Sequence, residues 1–188
     1  GKGADLAEMA NMGFPVPSGC TITPHAWDDY NNNKKFPRGL QSEIDKNLSR
    51  LEREMGAKLG DSKNPLLVSV RSGAAASMPG MMDTVLNLGL NPDSVQGLIN
   101  KTNNKRFPWD AYRRFINMFG NVVMGMKHHD FEEIIDRHKK KANVENDTDL
   151  SAEQLKEICE DFIAIYKKKT GTNFQSRRKP ALCQGNAV

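Results

Sequence analysis

An α+β fold is the class this sequence predicts, with strands confined to the first half and helices filling the second. Three observations carry that expectation. Leu66-Leu67-Val68-Ser69-Val70-Arg71 is a β-branched apolar run bounded by Pro65 and a small-residue stretch, and reads as a strand. Leu40, Ile44, Leu48, Leu51, Met55 and Leu59 recur every three or four residues, the period of an amphipathic helix. Beyond residue 91 every apolar series has that helical period. The expected organisation is an α+β unit over 1–91, a helical unit over 92–173, and a tail over 174–188.

Residues 4–12 predict a short helix, with Leu6, Met9 and Ala10 on one face and Gly13 as its stop. Phe14 to Gly19 is extended, because Pro15 and Pro17 fix φ and remove donors. Cys20 to Thr23 is expected as a short strand. The helix over 40–59 stops before Gly60, and Asp61 to Pro65 is a loop. Helices follow from Pro92 to about Lys101, from Pro108 to Gly125, and around Phe131, Ile134 and Ile135. Ser151-Ala152-Glu153-Gln154 is a capping box that opens another, whose buried face is Leu155, Ile158, Cys159, Phe162 and Ile165.

Hydrophobic residues make up 38% of the chain and charged ones 27%, enough for a core under a polar surface. That excludes a disordered chain, a collagen-like one and a disulfide scaffold. No apolar stretch is long enough to span a bilayer. The formal charge of +4 is a property of the tail: residues 167–188 carry six Lys and Arg and no Asp or Glu. The rest holds 21 basic against 23 acidic residues. Without a basic face carrying aromatic platforms, nucleic-acid binding is not expected. Cys20, Cys159 and Cys183 form no C-x-x-C pair, so reduced thiols in a cytoplasmic protein are expected, or an organellar one if a targeting segment precedes Gly1.

The stretch from Ser69 to Thr84 is the most informative chemically. Side chains alternate along a strand, so Val68 and Val70 face the core while Arg71 leaves the strand end on the open face. The following Ser72 to Gly80 has no bulky branched side chain, and Gly73 and Gly80 let backbone approach a ligand. A guanidinium beside exposed backbone N–H groups suits a polyphosphate. A surface loop with an ion-paired Arg71 fits the local pattern too.

The run from Ser69 to Leu90, with Met78-Pro79-Gly80-Met81-Met82-Asp83-Thr84 inside it, resembles the nucleotide-binding domain of the pyruvate, phosphate dikinase family. So do Gly1 to Met9, Pro15 to Thr23, Tyr112-Arg113-Arg114-Phe115 and Asp147-Thr148-Asp149-Leu150. The similarity covers about residues 1–174 and is expected to end there, with 174–188 a divergent, disordered tail. It implies the N-terminal portion of an ATP-grasp domain with an inserted helical subdomain. It also implies ATP as ligand, with Mg²⁺ held by carboxylates outside this chain, and transfer of the β-phosphoryl group to a histidine on another domain. Phosphate and pyruvate would bind to domains absent here, and a homodimer of the complete enzyme is compatible with the resemblance.

Carried over by matching motif, Lys2 and Arg71 would contact the ATP phosphates, and Gly80 and Met82 would line the nucleotide. Arg71 is the one residue given a catalytic part. Lys2 has a plainer reading as a solvated lysine. The chain alone is expected to bind ATP weakly at most and to form no phosphoenolpyruvate. Two alternatives stand beside this: a phosphoenolpyruvate synthase, which shares the Val70-Arg71-Ser72 core, and a non-catalytic module that binds nucleotide or a partner protein.

The other clusters suit plainer roles. His129 and Glu133 have chelating i, i+4 spacing, but His128, His129, Glu133 and His138 fix no third ligand and read as a solvated face. Asn143, Glu145, Asp147 and Asp149 alternate like a calcium loop yet lack its glycine and its closing glutamate, so helix capping explains them better.

Overall fold

The computed structural model describes residues 2–71 and 84–174. Gly80, Met82 and the expected tail from residue 175 onward lie outside the described residues. Helices and strands are both present, in the order α1 (Lys2–Asn11), α2 (Pro24–Asn33), α3 (Leu40–Met55), β1 (Lys58–Leu59), β2 (Pro65–Leu66), β3 (Val68–Arg71) and β4 (Thr84–Leu88). There follow α4 (Pro92–Thr102), α5 (Arg106–Val122), α6 (His128–Ala142) and α7 (Ala152–Thr170), with a single 3₁₀ turn at Asp147–Asp149 before α7. The α+β class is borne out.

By compactness the chain falls into two units, residues 2–57 and residues 58–71 with 84–174. The strands therefore share a unit with the later helices, whereas the change in sequence texture comes at residue 91. The reason is burial: Val85 and Leu88 of β4 join one core with Phe115, Phe119, Leu155 and Phe162.

In the first unit the expected strand at Cys20–Thr23 is absent. Thr23 instead takes the N-cap position of α2, with Pro24 just inside the helix, where its missing N–H costs nothing. Arg50 of α3 donates to the Gly19 carbonyl at 2.8 Å, and Tyr30 stacks on Phe36 at 5.1 Å. The α3 helix ends at Met55, four residues short of the expected stop. Gly56 adopts φ 60° and its N–H closes the last turn onto Arg53 and Glu52, the left-handed cap that glycine accepts.

In the second unit Leu59 and Leu66 pair across the short parallel ribbon β1–β2. The loop between those strands is folded by Asp61, whose Oδ1 accepts from the Lys63 and Asn64 N–H groups at 2.6 and 3.1 Å. Those bonds hold the Asp61 carboxyl below the usual carboxylate range. The expected strand over 66–71 is broken at Leu67 into β2 and β3. Helix α4 opens with Asn91 and Ser94 capping each other reciprocally at 2.8 Å, and α7 with Ser151 and Gln154 doing the same. The capping box expected at Ser151 is therefore present. Helix α5 starts two residues before the expected Pro108, which its first turn tolerates.

The core is aromatic. Phe131 of α6 meets Phe162 of α7 edge-on at 4.8 Å, and neither ring is exposed. Phe174, placed by sequence at the start of a disordered tail, instead packs edge-on against Phe115, Phe119 and Tyr166 at 5.7, 5.7 and 5.1 Å. Thr172 and Thr170 hydrogen-bond beyond the α7 end, after Gly171 has turned the chain at φ 71°. Aromatic contact area outweighs the polar texture of that stretch.

Candidate functional site

Strands β3 and β4 form an antiparallel ribbon with pairs Val68–Leu88, Val70–Val85 and Arg71–Thr84. Two residues separate the first two partners on β3 but three on β4, so β4 carries a bulge. Asn87 sits in it at φ 59°, a left-handed conformation that asparagine tolerates. The extra residue has a consequence for function. Leu88 and Val85, an odd number apart, would face opposite sides of a regular strand; the bulge turns both into the core.

That phase sets the outward face. Thr84 alternates with buried Val85, and Arg71 is its cross-strand partner, so both lie on the face turned from the core. Helix α5 fixes the ribbon from behind, with the Leu86 N–H donating to Met118 Sδ at 3.2 Å. Arg71 stands exposed at the strand end, as alternation predicts, but Val70, expected to face the core, is exposed there too. Among the described residues Arg71 makes no ion pair with a carboxylate, so the plain reading of an ion-paired surface arginine finds no partner there.

Arg106 and Arg113 are engaged differently. Arg106 donates to the Leu150 carbonyl at 2.9 Å and the Asp147 carbonyl at 2.7 Å. Arg113, buried, donates to Asp110 Oδ1 through Nε and Nη2 at 3.1 and 2.8 Å and lies 3.3 Å from Asp147 Oδ2. The Tyr112–Phe115 and Asp147–Leu150 motifs are therefore two halves of one brace, tying α5 to the connection that leads into α7. Asp147 is its acidic hub, with Lys139 also 3.5 Å away.

Lys2 lies at the start of α1, half-buried, in the first unit, and Arg71 lies in the second. Gly80 and Met82 fall outside the described residues. Thr84, paired with Arg71, is not among the site residues that the sequence motifs name; the adjacent β-branched residues Thr84 and Val85 are the signal for a strand there.

Three of the four histidines, all on α6, pair with carboxylates of exposed helix faces. His128 lies 3.2 Å from Glu132 and His129 3.0 Å from Glu133. His138 is buried, its Nε2 lying 2.8 Å from Asp161 Oδ2. Among the described residues no group of three His, Cys, Asp or Glu is set to hold a metal. Cys159 is buried, burial pushes its thiol far up, and its Sγ donates to the Trp109 carbonyl at 3.6 Å. Burial likewise raises the Tyr112 phenol. No helix of the described residues is long and apolar enough to cross a membrane.

Residues 32–170 match the family model described as pyruvate phosphate dikinase, AMP/ATP-binding domain. Over 183 residues, 97% of its length, the chain is 54% identical to a chloroplastic pyruvate, phosphate dikinase 1 of Arabidopsis thaliana, covering 19% of that protein. It is 50% identical over 174 residues to the pyruvate, phosphate dikinase of Giardia intestinalis, 93% of this chain and 20% of the relative. With the Clostridium symbiosum pyruvate, phosphate dikinase it shares 50% over 184 residues, 97% of the chain and 21% of the relative. The chain thus spans about a fifth of the length of the curated relatives it matches. An alignment of 183 residues leaves out only five, so similarity continues past Phe174, where it was expected to end.

Proposed function

Because the chain belongs to the family of the pyruvate phosphate dikinase AMP/ATP-binding domain, we propose that it supplies part of the nucleotide-holding surface of such a dikinase. The reaction of the whole enzyme would interconvert ATP, phosphate and pyruvate with AMP, diphosphate and phosphoenolpyruvate through a phosphohistidine. ATP, when bound, supplies the phosphoryl group; the chemistry required of this chain is to hold the phosphates. We read the fold as the first portion of an ATP-grasp domain, with the helices after residue 91 as an inserted subdomain. The reading applies alike to a cytoplasmic and to an organellar member.

One observation carries the proposal: Arg71 is exposed on the outward face of a ribbon anchored to the core, with no carboxylate partner among the described residues. A planar guanidinium in that position can give two parallel N–H bonds to phosphate oxygens, which fixes both charge and orientation. Transfer of a phosphoryl group needs such positioning and charge compensation more than it needs a protein nucleophile at the nucleotide. Lys2 would add a second cation, and Gly80 and Met82 would line the nucleotide. Phosphate, pyruvate and the magnesium carboxylates would be bound by parts of the enzyme outside this chain.

The test is single-turnover phosphorylation of the histidine in a complete dikinase whose matching stretch is this sequence. Arg71→Ala is expected to slow it by about 30- to 1,000-fold, the worth of roughly 2–4 kcal/mol from a charged contact in a desolvated site. Arg71→Lys recovers little, since a point charge lacks the planar fork. A rate close to wild type in either variant refutes the assignment.

A further inference from the structure

We propose that Thr84 is a second ligand for the phosphate oxygens, acting beside Arg71; this rests on the reading of Arg71 given above. The two residues are direct cross-strand partners in the β3–β4 ribbon. Partners of that kind carry Cβ atoms about 4.5–5.5 Å apart on one face. That face is the outward one, because the β4 bulge commits Val85 and Leu88 to the core and leaves Thr84 on the other side of the strand.

Thr84 also has the right chemistry for the place. Its hydroxyl makes no hydrogen bond with any described residue, although the side chain is half-buried. A β-branched side chain is stiff at χ1, so its hydroxyl is presented with little freedom to lose. The long Arg71 stem, by contrast, can fold its guanidinium over the neighbouring strand. One phosphate could then take two N–H bonds from Arg71 and an O–H bond from Thr84 on different oxygens. Ser69, two residues before Arg71 on the same strand, lies about 7 Å farther along and is too distant to share that anion.

Equilibrium titration of a complete dikinase whose matching stretch is this sequence, with ATP and adenosine as probes, tests the assignment. Thermal melting of each variant reports whether it folds. Thr84→Val keeps the shape and strand preference and removes only the hydroxyl. It is expected to weaken ATP about tenfold, as loss of a hydrogen bond to a charged group does, and to leave adenosine unchanged. Thr84→Ser keeps most of the ATP affinity, and Ser69→Ala binds as wild type. If Arg71→Ala weakens ATP while Thr84→Val does not, the role of Thr84 is overturned and that of Arg71 stands. If Arg71→Ala binds ATP as wild type does, or wild type does not prefer ATP to adenosine, both fall. A Thr84→Val loss equal for ATP and adenosine marks a structural role and likewise overturns the proposal.

Discussion

Replacing Gly97 by alanine sets two effects of known size against each other. Gly97 lies inside α4, where alanine is favoured over glycine by about 1 kcal/mol on helix propensity alone. The structure opposes that gain. A Cβ at Gly97 would sit 2.8 Å from the Ser62 carbonyl carbon and 3.3 Å from the Lys63 nitrogen, well inside the optimum of about 3.5–4.0 Å between carbon atoms. These are backbone atoms of a turn held on three sides. Asp61 bonds the Lys63 and Asn64 N–H groups, Asn91 donates to the Gly60 carbonyl at 3.1 Å, and Lys101 donates to Asn64 at 3.0 Å. Overpacking costs about 1–3 kcal/mol, and shifting the turn forfeits at least one hydrogen bond worth about 1 kcal/mol. The net expectation is a loss of about 1–3 kcal/mol, a fall in Tm of roughly 5–20 °C for a unit of this size. Melting and urea unfolding followed by circular dichroism and by Trp109 emission measure it. A variant that melts at or above wild type refutes the packing argument.

Phe162→Ala is expected to cost about 3–5 kcal/mol in urea unfolding, since the ring is fully buried and edge-on to Phe131, while leaving ATP affinity unchanged in the folded fraction. Arg113→Ala should cost about 2 kcal/mol by the same assay, because nearly buried Asp110 loses two charged hydrogen bonds and keeps only the exposed Arg114 at 2.9 Å, and Arg113→Lys should restore only part. Burial pushes the Asp161 carboxyl up, but hydrogen bonds from His138 and Arg137 outweigh it and hold the carboxyl below its ordinary value. Its stabilisation is therefore complete above pH about 4 and lost as pH falls through the folded-state value. Asp161→Asn should lower the urea midpoint at neutral pH and flatten its decline on the acid side.

Much of this fold was legible because period and punctuation agree. The stripe from Leu40 to Leu51, the capping box at Ser151 and the β-branched run ending at Arg71 each state their element twice, by pattern and by boundary. What was not legible depends on partners distant in sequence. Helix α2 has only Trp27 and Tyr30 as large apolar residues among ten, so its helical period is faint. Leu59 continues the α3 stripe in register, yet Gly56 ends the helix and Leu59 is taken by a pairing with Leu66. Phe174 reads as tail until four aromatic rings are assembled around it. At the site, the outward direction of Arg71 followed from alternation, but its pairing with Thr84 required the bulge at Asn87, which pattern alone does not place.

Backbone amide shifts recorded as ATP is added to the isotope-labelled 188-residue chain test the central claim most directly. Phosphate held on the outward face of the β3–β4 ribbon should move the amides of Val70, Arg71, Thr84 and Val85 most among the described residues, and Arg71→Ala should abolish those shifts. Shifts centred on the exposed faces of α6 and α7, or a response at the ribbon that survives Arg71→Ala, would contradict it.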